Sequence, residues 1–333
     1  MYQLDIKTQR IIQKFIKGKK YLKLNVGFVT KDKTVLKTFN ESGETEYENN
    51  IYEIGSVTKT FTAALFAKYI YEKKMQLNDS IEKYISGLDQ RRYYPTLQRL
   101  ATHTAGCPSN PMNVWETIKF YKEILLGYGS HYQKNPFQMD YGKMLAIINK
   151  CKWKDKDCKW SYSNIGPSLL GYAVGVVSGS GYWNAMNDFI RNEFSLGNTY
   201  LGTIEEKNLR GYNSKNKDCG NWIWENNLIA PGGALSSTAE DLLAYAKINM
   251  YEEKPYLSLC HQKHANVNKN WCMGLAWMIY RMENYNIIKH IGGTGCFRTF
   301  LGFSKEKNVS VVVLSNYFLF GIEKIANSIF ENI

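Results

Sequence analysis

Ser56 and Lys59 stand three residues apart in the stretch IGSVTKTFTAALFAKYIY, residues 54–71. On a helix, side chains at i and i+3 share a face, so the hydroxyl and the amine meet without help from the rest of the fold. That pairs a nucleophile with a base. From Phe61 to Tyr71 only Thr62 and Lys68 interrupt an apolar run, and a helix with no polar side belongs in a protein interior. Burial disfavours the charged form of lysine, so Lys59 is expected to be neutral near physiological pH and able to take the serine proton. The spacing alone is not specific, because Ser214 with Lys217 and Ser304 with Lys307 share it within polar runs. Only Ser56 has Gly55 before it, for close backbone approach, and a long apolar helix behind it.

A helix of this kind needs a scaffold. Residues 7–17 (KTQRIIQKFIK) carry Ile11, Ile12, Phe15 and Ile16 at helical spacing, and LNVGFVT (24–30) with TVLKTFN (34–40) reads as a hairpin turning at 31–33. Thr238 to Asp241 has the form of a capping box ahead of the helix DLLAYAKINM. Beyond Trp271 come four strand-like runs, GLAWMIYR, NIIKHIGG, TFLGFS and VSVVVLSN, then an amphipathic helix from Phe318 to Phe330. Residues 77–231 read as helices and long loops, with CPSNP, YGSHYQKNP and SGSG as glycine- or proline-bearing turns. The expected fold is α/β of the α+β kind: an antiparallel sheet built from N- and C-terminal strands, flanked by helices, with a large, mostly helical inserted lobe. The sheet domain takes 1–76 and 232–333, the inserted domain 77–231, and the active site lies between them.

The chain has 333 residues and a formal net charge of +12. Its densest basic run, KFIKGKKYLK (14–23), has no nucleic-acid motif beside it and reads as a solvated helix end with a turn at Gly18, so no nucleic-acid partner is expected. Seven cysteines form no Cys-x-x-Cys pair and are odd in number, which argues against a zinc knuckle or a complete disulfide framework and for reduced thiols; a Cys151–Cys158 bond across the WKDKD turn is the minority reading. MYQLDIKTQR lacks the apolar core of a signal peptide and no window reaches eighteen apolar residues. A cytoplasmic location without stable membrane insertion is therefore expected, unless a leader has been removed.

Three further stretches carry the functional reading: LATHTAGCP (100–108), Tyr162-Ser163-Asn164 in WSYSNIGPSLLGYAV, and His290-Ile291-Gly292 in KHIGGTGCF. With IGSVTK, in this order, they resemble the serine beta-lactamase and penicillin-binding-protein superfamily, in its class C-like branch of beta-lactamases, D-peptidases and esterases. The resemblance spans about residues 50–316, and GGALSSTAEDLLAYAK resembles the stretch lying behind the active site in that branch. It implies a beta-lactamase/transpeptidase-like fold and an acyl-enzyme on Ser56. It further implies Lys59 as base, alone or shared with Tyr162, whose phenol protonates the leaving group and activates the deacylating water, and which needs positive charge from Lys59 to lower its pKa. Asn164 would orient the substrate; the backbone N–H groups of Ser56 and Gly293 would hold the oxyanion. His290, Gly292, Gly293 and Arg298 would complete the substrate-binding set, with glycine letting an edge strand approach the substrate.

The departures narrow the substrate. Where beta-lactamases of this kind have Lys-Thr-Gly, this chain has His290-Ile291-Gly292, and Lys-Thr-Gly occurs nowhere else in it. The histidine is common among esterase and peptidase members. Isoleucine removes a hydroxyl that helps bind a substrate carboxylate, which lowers recognition of beta-lactams and of C-terminal D-alanine; Arg298, close in sequence, is the candidate to substitute, with a plain surface residue the equal alternative. Cys296 stands where glycine is usual. His103 reads as structural, and His261 with His264 has ligand-like spacing but no convergent carboxylate, so neither metal nor cofactor is expected. The reading is a serine hydrolase cleaving an ester or amide of a small molecule or short peptide. Beta-lactamase or DD-carboxypeptidase action, acyl transfer through the same intermediate, and a catalytically silent binding protein remain the alternatives.

Overall fold

The protein's structure, a computed structural model, describes residues 4–125, 135–318 and 321–333. Nine strands form one antiparallel sheet in the order Gly43–Thr45, Thr34–Asn40, Leu24–Val29, Val309–Ser315, Arg298–Ser304, Asn286–Gly293, Met278–Arg281, Trp271–Met273 and Ala265–Asn266. The two chain ends meet where Leu24 pairs with Ser315 and Val29 with Ser310. Both of these central strands are buried along their whole length, and side chains alternate between the two faces. On one face Val26, Phe28, Val311 and Val313 pack with Ile12, Ile16, Ile325 and Phe330 of the terminal helices Ile6–Ile16 and Ile322–Asn332. On the other, Val312, Leu314 and Leu301 pack with the helices Thr58–Tyr71 and Ala239–Tyr251.

Helix Thr58–Tyr71 is the interior element its composition calls for. Every residue is buried except Lys68, Ile70 and Tyr71. Phe61 stacks on Tyr245 of the neighbouring helix at 3.8 Å between ring centroids and meets Phe194 edge-on at 6.3 Å. Thr238 caps the partner helix, its hydroxyl accepting from Asp241 N at 3.2 Å, which satisfies one of the orphan donors of the first turn.

Several expectations shift. The helix does not begin at Ile54: Gly55–Val57 form a 3-10 turn first, because Gly55 has φ +51, outside the right-handed region. GLAWMIYR is not one strand. Its first half turns, with Ala276 at φ +60, and only Met278–Arg281 is extended, paired back onto Trp271–Met273. Gly274 is packed so tightly there that a Cβ would lie 2.2 Å from Cys260 O. The closing helix starts at Ile322 rather than Phe318, after Gly321 at φ +86; residues 319–320 lie outside the described residues, as does most of the YGSHYQKNP turn. A second sheet, Tyr52–Glu53 with Leu235–Ser237 and Tyr200–Leu201, is too short to show in any periodicity. All seven cysteines, Cys151 and Cys158 included, are free thiols. Among the described residues no helix is long and apolar enough to cross a membrane.

Phe61 therefore anchors the helix Thr58–Tyr71 to the core. Phe61→Ala is expected to cost about 3–5 kcal/mol in urea unfolding; a loss below about 1 kcal/mol would show that this contact does not hold the helix.

Candidate active site

The turn bearing Ser56 is clamped against the strand Asn286–Gly293. That strand pairs with Met278–Arg281 over residues 286–289 and with Arg298–Ser304 over residues 288–293. Over residues 290–293 only the Arg298–Ser304 side is paired, so the strand becomes an edge where the motif begins. Backbone fills the gap. A Cβ on Gly292 would lie 1.9 Å from Ile54 O, and a Cβ on Gly55 would lie 2.5 Å from Gly293 N. The two glycines thus allow nucleophile turn and strand to touch, a role additional to the substrate approach expected for Gly292. This contact brings the Ser56 turn and the Gly293 amide side by side.

Lys59 Nζ is the hub of the side chains. It lies 2.9 Å from Ser56 Oγ, 2.8 Å from Asn164 Oδ1 and 2.6 Å from the Gly232 carbonyl oxygen. With the residue 1% exposed, burial pushes the amine well below the usual lysine range. A neutral amine has two N–H donors and one lone pair. The two carbonyl oxygens accept only, so they take the two N–H groups, and the lone pair is left for the Ser56 hydroxyl. Asn164 cannot turn its amide round without loss, because its Nδ2 donates to Asn110 Oδ1 at 2.7 Å. Tyr162 OH donates to Ser56 Oγ at 2.6 Å, and Lys59 Nζ stands 5.0 Å from the centre of the phenol ring. The donors form one consistent chain from phenol to serine to amine.

Two neutral histidines flank the phenol. His290 is fully buried, with Nδ1 2.9 Å from Ile291 O and Nε2 unpartnered among the described residues. Burial first, then the nearby Lys59 amine, pushes its imidazole down to about 3. Its ring lies 6.4 Å from that of Tyr162. His103, at φ +61, accepts from Ser163 N at 3.3 Å and lies 4.8 Å from the Tyr162 ring; it props the Tyr162 backbone. Arg298 pairs with Gly293 across the strands. Its guanidinium sits 3.4 Å over the Phe318 ring and donates to Phe297 O at 3.3 Å. It lies over Gly293, where a Cβ would be 1.7 Å from Nη1, whereas Gly292 faces the Ser56 turn. Arg298 therefore lies on the opposite face of the strand from the Ser56 turn, and the structure does not bring it to Ser56 and Lys59.

A family model described as Beta-lactamase matches residues 8–325. The chain belongs to the beta-lactamase family. It is 22% identical to a beta-lactamase of Pseudomonas fluorescens over 81% of this chain and 80% of that one. Its fold is shared with a beta-lactamase/D-alanine carboxypeptidase from Pseudomonas syringae (TM-score 0.80, 18% identity, 97% of both chains). It is shared also with a D-stereospecific amidohydrolase from Streptomyces sp. (TM-score 0.75, 18% identity, 98% of both chains). Family and fold are those of serine hydrolases.

In this beta-lactamase-family chain the structure brings together Ser56, Lys59, Tyr162, Asn164 and His290, and sets Gly292 and Gly293 against the nucleophile turn. Sequence reasoning missed two members. Asn110 lies in a loop noted only as CPSNP, 54 residues from its partner Asn164. Gly232 contributes a carbonyl, which no residue type advertises. His261 bonds Glu252 and Asn249, and His264 the Leu259 carbonyl; among the described residues no cluster of metal-ligating side chains occurs.

The depressed His290 pKa has a definite sign. Its folded value lies below the ordinary 6.5, so the stability it contributes is present above 6.5 and lost as pH falls towards about 3. By NMR the His290 ring is expected not to titrate between pH 8 and 5, and His290→Gln is expected to flatten the fall in stability over pH 6.5 to 4. A His290 midpoint near 6.5 would overturn its assignment as a buried neutral ring.

Proposed function

We propose that this protein is a metal-independent serine hydrolase that forms an acyl-enzyme on Ser56 and cleaves an ester or amide of a small molecule or short peptide. The observation that carries the reading is the partner set of Lys59 Nζ, two carbonyl oxygens and one hydroxyl, which orients a base towards a nucleophile. Ser56 Oγ attacks the substrate carbonyl carbon as its proton passes to Lys59, and the carbonyl oxygen becomes an oxyanion held by the Ser56 and Gly293 N–H groups. Each such donor is worth about 3 kcal/mol in comparable sites. On collapse the carbon–leaving-group bond breaks. The leaving atom takes the Tyr162 phenolic proton, which the Lys59 ammonium restores. Water then attacks the ester, with the same groups acting in reverse. Asn164, beside Lys59 Nζ, is positioned to meet a substrate polar group, with the buried His290 ring behind Tyr162.

Substrate class rests on the residues of the edge strand. Ile291 offers no hydroxyl to a carboxylate, so an ester or amide without an obligatory free carboxylate fits best, and Arg298 supplies cationic attraction from the far side of Gly293. A D-configured residue beside the scissile bond is consistent with what the carboxypeptidase and amidohydrolase relatives are named for. Acyl transfer to an amine or alcohol in place of water would use the same intermediate.

A fluorophosphonate or an activated p-nitrophenyl ester should add once, to Ser56, by intact mass and peptide mapping; folded protein without an adduct would favour a silent binder. Lys59→Ala is expected to lower acylation by about 10²–10⁴-fold while the melting temperature moves by a few degrees. Short acyl esters should be turned over more efficiently than nitrocefin, and the reverse order would contradict the role given to Ile291.

A further inference from the structure

Glu53, three residues before the nucleophile, is a carboxyl group placed where a carboxyl group is costly. It is 1% exposed and sits in the strand Tyr52–Glu53, paired with Ser236. Oε1 accepts from Trp222 N at 2.7 Å. Oε2 is buried with no hydrogen-bond partner among the described residues, and so is the hydroxyl of Thr294, the residue after Gly293. Thr294 and the Asn221 side chain are the polar groups that act on this carboxyl besides the Trp222 amide. Three segments far apart in the chain converge here: the strand delivering Ser56, the turn after the Gly292-Gly293 edge, and the Asn221-Trp222 wall. Burial pushes the carboxyl up to about 7. The other titratable groups in its surroundings are the Cys296 thiol, hydrogen-bonded to Cys219, and Arg298 beyond it.

We propose that Glu53 is a positioning residue for acylation, tying the Ser56 strand to the Trp222 wall and to the Thr294 turn that carries the Gly293 oxyanion donor. The inference rests on the acyl-enzyme reading above. Protonated, Glu53 offers Oε2–H to the Thr294 hydroxyl while Oε1 keeps the Trp222 amide. Ionised, it places a negative charge beside the turn where a second negative charge must develop, which opposes the oxyanion. Gln keeps the acceptor for Trp222 and the donor for Thr294 but cannot ionise.

The test is the second-order rate of Ser56 labelling by a fluorophosphonate at pH 6 to 8 in wild type, Glu53→Gln and Glu53→Ala, with the backbone amide resonances of Trp222 and Gly293 followed over the same range. The expected result is an E53Q-to-wild-type rate ratio that rises several-fold from pH 6 to 8. Wild-type amides should shift with a midpoint near 7, and those of E53Q should not. E53A should label at least tenfold more slowly at every pH; if E53A does not fold, the E53Q ratio and the amide shifts decide. A flat ratio with amides that do not titrate overturns the inference while wild-type labelling stands. Failure of the wild type to label removes the acyl-enzyme reading itself, and the inference with it.

Discussion

An amine withdrawn from water beside a hydroxyl is the constraint on which the rest of this molecule depends. A charged lysine with no carboxylate at hand would cost several kcal/mol to bury, and burial pushes Lys59 well below the usual lysine range, towards its neutral form. Neutrality makes it a base, and the two carbonyl oxygens at 2.8 and 2.6 Å decide where its lone pair points. The surrounding construction keeps those distances. The helix carrying Lys59 has almost no solvent-facing side, so it cannot tilt without opening the core on which Phe61 and Tyr245 stack.

The second constraint is contact between two backbones. Side chains at 55 and 292 would collide with the opposing main chain, so glycine at both positions lets the nucleophile turn lie against the strand edge. The strand loses its Met278–Arg281 partner at His290, so the residues beside the Ser56 turn form a sheet edge.

The departures from the usual family motif share one electrostatic theme. A lysine in place of His290 would put a cation beside the Ser56–Lys59 pair. The histidine there is buried and neutral, so the pocket next to Ser56 carries little fixed positive charge, although the chain as a whole carries +12. Arg298, the strong cation nearby, lies on the other face of the strand with its charge against an aromatic ring. The fixed positive charge of this region is thereby set on the face of the strand away from Ser56.

The amino-acid order by itself determined the helix behind Ser56, the N-terminal hairpin, the strands Asn286–Gly293, Arg298–Ser304 and Val309–Ser315, the Thr238 cap and the order of the site motifs, because each is a local pattern of burial or turn chemistry within a few residues. Tertiary structure alone decided the rest. Periodicity reports that a residue is buried but not what it is buried against, so the roles of Asn110, the Gly232 carbonyl and Glu53 were invisible, their partners lying 54, 173 and 169 residues away. The same limit hid the turn that divides GLAWMIYR: its apolar run is real, but packing against Cys260, not propensity, bends it. Spacing put a hydroxyl near an amine; only three-dimensional packing buried that amine and set two carbonyl oxygens against it.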